Sequence, residues 1–308
     1  MTRSGLRGRS LAVYLFCCAI WGSTWLVIRV GVRELPPLHF AAMRMGLACL
    51  FLTPWAARQA RRARADLGTS AAEWWGVAWS GLLQIGLSYA AIFVAARQIE
   101  SGLSAVLFGT FPLWIGIFAH LLLPDEPLTV RTSLAALVGL GGVLLIEAPA
   151  ALRAFSGGSS TVLAGGLLVL GSAVVSAYAN VFVKKHLRRV SPAVNVWGQT
   201  LSGSIFLFIL ALLVERGQHL PWTFSSIAAV LYLAIPGTAL SFAALFWLVP
   251  RVPMSVIGTI PLVDTVIAVI LGAIVLGESL ALRVLAGGAL ILVGVILATI
   301  NPRPPASA

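Results

Sequence analysis

The sequence predicts an all-α membrane protein of ten transmembrane helices, arranged as two inverted five-helix repeats with both termini in the cytoplasm. Of the 308 residues, 59% are hydrophobic and only 10% are charged, whereas a soluble domain carries about 25% charged residues. The hydrophobic residues form long uninterrupted runs, and short patterns in the first half recur in the second half. These observations exclude a soluble domain.

Ten apolar runs are long enough to cross a bilayer as helices, which requires about 20 residues. Their hydrophobicity is continuous rather than alternating, which excludes the strands of a membrane barrel. The first run follows Arg3, Arg7 and Arg9, but it is too long for a cleaved signal peptide and no Ala-x-Ala site ends it. We number the runs as segments one to ten: 11–31, 38–55, 73–96, 102–123, 130–148, 162–183, 193–214, 224–249, 253–276 and 282–300.

The orientation is predicted from the basic residues, which give a net charge of +11. Most of them lie on one side of the membrane if the amino terminus is inside, as membrane proteins prefer. The cytoplasmic set is Arg3, Arg7, Arg9, Arg58, Arg61, Arg62, Arg64, Arg131, Lys184, Lys185, Arg188, Arg189, Arg251 and Arg303. The outer set is Arg33, Arg97, Arg153, Arg216 and Arg283. Because these charges lie in short loops, we expect contacts with anionic lipid and none with nucleic acid.

An internal repeat divides the chain. Residues 88–93 (SYAAIF) are matched by residues 241–246 (SFAALF), and an E-x-L-x-x-R pattern at 126–131 recurs at 278–283. Five segments in each half is an odd number, so the second half must enter the membrane inverted, as in many secondary transporters. The predicted units are a first repeat at 1–150, a Gly/Ser joint at 151–160, a second repeat at 161–300 and a disordered tail at 301–308.

The motifs resemble a known family. Residues 21–24 (WGST), Pro36-Pro37 and residues 40–44 (FAAMR) are similar to the opening of EamA-domain proteins of the drug/metabolite transporter superfamily, and the two E-x-L patterns are similar to the ends of its domains. The resemblance implies a central cavity and export of small metabolites, such as amino acids or related amphiphilic solutes, with proton coupling as one option. Two positions depart from the family pattern: Asp264 is followed by threonine rather than proline, and Gln199 stands in the place that corresponds to Arg44.

Asp264 lies in the middle of segment nine. A carboxylate at the centre of a membrane helix costs about 2.5–3.5 kcal/mol to insert. It is therefore expected to bind a coupling proton or a cationic part of the solute, or else to form a structural ion pair with Arg29 or Arg44. Pro261 lies three residues earlier, which predicts a bend beside the acid.

Other polar and aromatic side chains lie inside the segments and either line the cavity or bridge and pack helices. Arg44 either binds the solute or forms a structural contact. Pro236, Gly237 and Pro261 are candidate hinges, with static kinks as the alternative. Besides Asp264 and Arg44, the substrate or coupling candidates are Trp21, Ser23, Thr24, Gln84, Ser88, Tyr89, Tyr178, Asn180 and Ser241.

Several functions are disfavoured by motifs that the sequence lacks. It contains no HExxH, GxSxG or nucleotide-binding loop, so we expect no catalytic residues, no cofactor and no direct ATP drive. The three cysteines have no metal or redox spacing, and we expect no metal site. The predicted partners are a small-molecule substrate and the lipid of a bacterial inner membrane; the oligomeric state is open, with a monomer as one option. A facilitative channel or a membrane sensor without active transport is the alternative function.

Overall fold

The computed structural model of the chain describes residues 8–62, 70–124, 130–155, 160–248, 251–252, 257, 260–278 and 281–299. Helices account for nearly all of this part, and it contains no strand. The first-half helices are α1 Gly8–Glu34, α2 Pro37–Arg62, α3 Ala71–Gly81, π1 Leu82–Leu87, α4 Ser88–Ala95, α5 Ser101–Phe108, α6 Phe111–Leu122 and α7 Val130–Phe155. The second-half helices are α8 Thr161–His186, α9 Pro192–Val214, α10 Phe224–Ala234, π2 Ile235–Leu240, α11 Ser241–Leu248, α12 Ile260–Leu276 and α13 Leu282–Thr299.

Among the described residues, seven helical stretches are long and apolar enough to cross a membrane, and they coincide with segments one to four and six to eight. Shorter apolar helices lie in segments five, nine and ten, at Ser133–Ile146, Val263–Leu276 and Leu282–Leu297. The chain is therefore a multi-pass membrane protein. The count of ten crossings, the inversion of the repeat and the side on which the termini lie remain predictions. Glu126, the Gly/Ser joint at 156–159 and the tail at 301–308 lie outside the described residues.

Local signals explain where several helices begin and end. Ser70 and Glu73 form a reciprocal capping box at the start of α3. The side chains of Ser191 and Thr223 cap α9 and α10 in the same general way, each accepting a bond from a backbone N–H. Gly277 follows α12 with φ of 64°, a conformation that glycine adopts without a steric penalty. It turns the chain back, so that the N–H of Glu278 bonds to the carbonyl of Gly272 at 3.1 Å.

Helices of the first half pack mainly against helices of the second half. The most extensive helix contacts all join a first-half helix to a second-half helix: α7 with α13, α2 with α9, α1 with α12, and α4 with α8. Glycines permit close approaches between these helices. A Cβ atom added to Gly142 of α7 would lie 2.5 Å from the carbonyl of Gly287 on α13. Small residues of this kind let membrane helices pack backbone to backbone.

The largest buried core cluster lies where α1, α2, α4, α9 and α10 meet. Phe40 of α2 and Phe93 of α4 are fully buried there and contact each other edge to face, with ring centroids 5.1 Å apart. At the nearby ends of α1 and α4, Arg97 donates to the carbonyls of Val32 and Leu35 at 3.0 and 3.1 Å. These bonds satisfy carbonyls that the end of α1 leaves without helical partners. The core therefore ties the first-half helices to both α9 and α10.

Candidate functional site

Asp264 lies in the first half of α12, against α1. Its backbone carbonyl would be 2.8 Å from a Cβ atom placed on Gly22, and Ile267 touches the same glycine. The Asp264 side chain is half-buried. Its hydrogen-bond contact is the Thr265 hydroxyl, 3.5 Å from Oδ1, and that hydroxyl also donates to the Pro261 carbonyl at 2.8 Å. The carboxylate is thus held near the α1–α12 contact by weak polar interactions.

Pro261 is the second residue of α12, which begins at Ile260. Proline is well tolerated in the first turn of a helix because the N–H that it lacks has no helical partner there. The role of Pro261 as a hinge stays a prediction. Residues 258 and 259, immediately before α12, lie outside the described residues.

Neither Arg29 nor Arg44 forms an ion pair with Asp264. The one salt-bridge contact within the described part of the chain joins His39 Nδ1 to Glu215 at 2.7 Å, and it is an ion pair when the histidine is protonated. Arg29 donates instead to the carbonyl of Ala96, and Arg44 to the hydroxyl of Thr238. The expected structural pair is therefore absent from these residues, and Asp264 has no cationic side chain within bonding distance among them.

Arg44 is buried on α2, with 3% of its surface exposed. Its Nε and Nη2 lie 3.4 and 3.3 Å from the Thr238 hydroxyl. The guanidinium lies over two rings of α4, 4.9 Å from the centroid of Tyr89 and 5.8 Å from that of Phe93. Its Nη1 is buried and has no hydrogen-bond partner. Arg44 thus lies between α4, which belongs to segment three, and π2, which belongs to segment eight.

Gln84 and Ser88 both bond across to α8. The Gln84 Oε1 atom accepts from Asn180 at 2.8 Å, and the Ser88 hydroxyl accepts from Ser176 at 2.8 Å. Ser88 and Ser176 are buried, so that they bridge helices. Gln84 is half-buried and Asn180 is exposed. Both pairs bridge helices, and only the Gln84–Asn180 pair combines bridging with exposed surface.

The third membrane helix of each half contains a π-helical segment, and the two occupy matching positions. π1 ends at Leu87, directly before Ser88, and π2 ends at Leu240, directly before Ser241. Ser88 and Ser241 are the first residues of the repeated SYAAIF and SFAALF patterns. Sequence reasoning singled out Pro236-Gly237 in π2 but missed π1, whose six residues contain no proline. The sequence feature that could have located π1 was the repeated pattern that begins directly after each π-helical segment.

Polar groups in π2 are paired with the irregular backbone. The Thr238 hydroxyl donates to the Leu233 carbonyl at 2.8 Å, and that of Ser241 to the Pro236 carbonyl at 2.6 Å. Gly237 lies against α1, because an added Cβ atom would be 3.3 Å from the Thr24 methyl. Ser241 is fully buried, so its hydroxyl faces packed protein. Thr238, which sequence reasoning missed, is the π2 side chain that contacts Arg44.

The remaining candidates on α1 and α8 are mostly half-buried. Ser23 shares a 2.6 Å hydrogen bond with the hydroxyl of Tyr232 on α10, a residue that the sequence did not single out. Thr24 is buried and donates to its own helix at Trp21. Trp21 contacts Phe242 edge to face at 6.0 Å, and Tyr178 contacts Phe118 at 5.6 Å. These rings therefore form helix contacts while keeping part of their surface accessible.

Two carboxylates of the second half cap helices of the first half. Glu215, which follows α9, accepts from the N–H groups of Leu38 and His39 at the start of α2, both at 2.9 Å. Glu278, which follows α12, accepts from the N–H groups of Ser101 and Gly102 at the start of α5. Negative charge at a helix amino terminus is stabilising. The sequence pattern did not indicate which helix either carboxylate would cap, because each bond joins residues more than 170 positions apart in the chain.

Two stretches of the chain, residues 9–148 and 163–300, match the family described as the EamA-like transporter family. Transporter YoaV of Bacillus subtilis, named as uncharacterized, is 26% identical over 91% of this chain and 93% of its own length. The inner membrane transporter YedA of Escherichia coli, also named as uncharacterized, is 27% identical over 90% of this chain and 84% of its own. A probable amino-acid metabolite efflux pump of Salmonella typhimurium is 27% identical over 92% of both. A solved crystal structure at 19% identity superimposes with a TM-score of 0.64, covering 96% of this chain and 98% of its own.

Proposed function

Because the chain belongs to the EamA-like transporter family, we propose that it is a secondary carrier that exports small metabolites by alternating access. The observation that carries the proposal is the state of Asp264. This carboxylate is half-buried in the middle of an apolar segment, and no Lys, Arg or His side chain of the described residues pairs with it. Ionisable groups inside membrane segments commonly mark transport pathways.

A carboxylate in the middle of a membrane segment and without a cationic partner can be stabilised in two ways. It either carries a proton, or it binds a positive group that the solute brings. Exchange of one for the other would couple solute movement to proton movement, since the bare charge costs about 2.5–3.5 kcal/mol in the membrane interior. The weak contact with Thr265 leaves the carboxylate free for this exchange.

The two π-helical segments support alternating access. Irregular backbone at membrane depth is tolerated where it lies within protein or lines a water-filled cavity. In carriers built from repeats, interrupted helices in corresponding positions point to the solute site. π1 and π2 occupy corresponding positions before Ser88 and Ser241. We therefore expect these segments to flank the solute and to change shape as the carrier alternates.

The half-buried aromatic rings favour an amphiphilic solute. Trp21, Tyr89 and Tyr232 have partly accessible surfaces, and the hydroxyl of Tyr232 shares a hydrogen bond with Ser23. The relative named as a probable amino-acid metabolite efflux pump supports amino acids or related solutes. The proposed location is a bacterial inner membrane, since the YedA relatives are named as inner membrane transporters.

The experiment that tests this function is metabolite profiling of the medium of cells that overproduce the wild type, Asp264→Asn or an empty vector. We expect a small set of metabolites enriched by the wild type alone, at matched amounts of membrane protein. Enrichment by both proteins would retain export and remove the role of Asp264. No enrichment by the wild type would contradict export and favour a sensor. Flux that does not saturate with solute concentration would favour a channel.

A further inference from the structure

The Arg44 guanidinium has unused hydrogen-bonding capacity inside the protein. It carries five N–H donors, and its contacts with the Thr238 hydroxyl are long, at 3.3 and 3.4 Å, beyond the usual 2.7–3.2 Å. Nη1 is buried without a partner. A buried charge is normally paired, and no carboxylate of the described residues provides such a pair for Arg44.

The Arg44 guanidinium is buried against two aromatic rings of α4. The Tyr89 and Phe93 rings lie 4.9 and 5.8 Å from it, within the range of a cation–π contact. Phe93 is fixed by its edge-to-face contact with Phe40. Tyr89 is half-buried, so accessible surface reaches the ring on which the guanidinium lies.

The second half provides an internal comparison. Gln199 follows the proline that begins α9 by the same number of residues as Arg44 follows the proline that begins α2. Each side chain reaches a hydroxyl on the third membrane helix of the opposite half: Arg44 that of Thr238, and Gln199 that of Ser80 at 3.0 Å. The glutamine bond has ordinary length. Helix packing at this position is therefore satisfied by a neutral amide and does not itself require a cation.

We propose that Arg44 binds the carboxylate group of the transported solute. A guanidinium offers two parallel N–H donors that match the two oxygens of a carboxylate. Nη1 is available now, and Nη2 becomes available when its long bond to Thr238 is released. A monoanionic carboxylate balances the single charge of Arg44. The assignment rests on the proposed carrier function and narrows its substrate class to organic acids and zwitterions.

Because Thr238 lies in π2, binding at Arg44 also reaches the irregular segment. The Thr238 hydroxyl bonds both to Arg44 and to the Leu233 carbonyl. A solute carboxylate that binds the guanidinium would replace the contact between Arg44 and the Thr238 hydroxyl. Solute binding would then alter the segment that is expected to change shape during transport.

The test compares the full-length wild type with Arg44→Gln and Arg44→Lys in the profiling experiment. Arg44→Gln copies the residue found at position 199, so it is expected to fold; size-exclusion profiles of the purified proteins check this. Every metabolite enriched by the wild type should bear a carboxylate. Arg44→Gln should lower that enrichment roughly 10- to 100-fold, the range expected for a lost charge-assisted bond, and Arg44→Lys should retain part of it.

Purified protein supplies a second readout. Its thermal unfolding is followed with each enriched acid and with the amide of the same skeleton. The acid should stabilise the wild type and not Arg44→Gln, while the amide stabilises neither. Export retained by a folded Arg44→Gln, or enriched metabolites without a carboxylate, would overturn the assignment and leave the carrier function intact. A wild type that enriches nothing would overturn both.

Discussion

Glu278 caps a helix that begins 177 residues earlier in the chain. Its Oε1 accepts from the Ser101 N–H at 2.8 Å, and its Oε2 from the Gly102 N–H at 3.0 Å, while the Ser101 hydroxyl bonds to both oxygens at 2.9 Å. Glu215 holds the start of α2 in a similar manner. Two helix amino termini of the first half are thus completed by carboxylates of the second half. The first half therefore depends on the second half for the capping of two of its helices.

The first prediction concerns Glu278. We expect Glu278→Gln to lower the free energy of unfolding by about 1–2 kcal/mol, because an amide keeps one acceptor but loses the charge at the helix terminus. The measurement is thermal unfolding of the purified protein in detergent. Glu73→Gln is the matched control, since Glu73 caps its own helix at an exposed position. Equal shifts in the two variants would contradict the role assigned to Glu278.

The second prediction concerns the contact between α1 and α12. A Cβ atom on Gly22 would lie 2.7 Å from Ile267 and 2.8 Å from the Asp264 carbonyl. Gly22→Ala should therefore displace α12, destabilise the protein by about 1–3 kcal/mol and impair transport. Gly171→Ala is the control, because nothing lies within 4 Å of its added Cβ atom. A Gly22→Ala protein with the stability and flux of Gly171→Ala would refute this packing argument.

The third prediction concerns the inversion of the second half. With the amino terminus inside, a cysteine at Arg188 should react with a membrane-impermeant thiol reagent only from the cytoplasmic side. A cysteine at Arg216, at the other end of α9, should react only from outside. Both positions are exposed, whereas the native thiols Cys17, Cys18 and Cys49 are buried. Labelling of both positions from the same side would exclude the proposed topology.

The sequence was sufficient to predict the helical membrane architecture, because hydrophobic runs and positive loops report the bilayer directly. Pro236-Gly237 suggested one of the two irregular segments, π2, whereas π1 was missed although the match of Ser88 with Ser241 marks its place. The cross-half partners could not be predicted. Thr238 for Arg44 and Ser101 for Glu278 are far away in sequence, and no local pattern specifies them. The alternative of an ion pair between Asp264 and an arginine is not found among the described residues, and opposite charges in a sequence carry no information on their distance in the fold.

Asp264 is the proposed coupling group of the carrier. In proteoliposomes that contain the purified carrier, flux of a metabolite identified by profiling is measured with and without an imposed pH difference. We predict that the wild type responds several-fold to the pH difference. Asp264→Asn should show no such response, although it still exchanges solute across the membrane. Asp264→Glu, which keeps the carboxylate, should retain part of the response. If Asp264→Asn responds to the pH difference as the wild type does, Asp264 is not the coupling group.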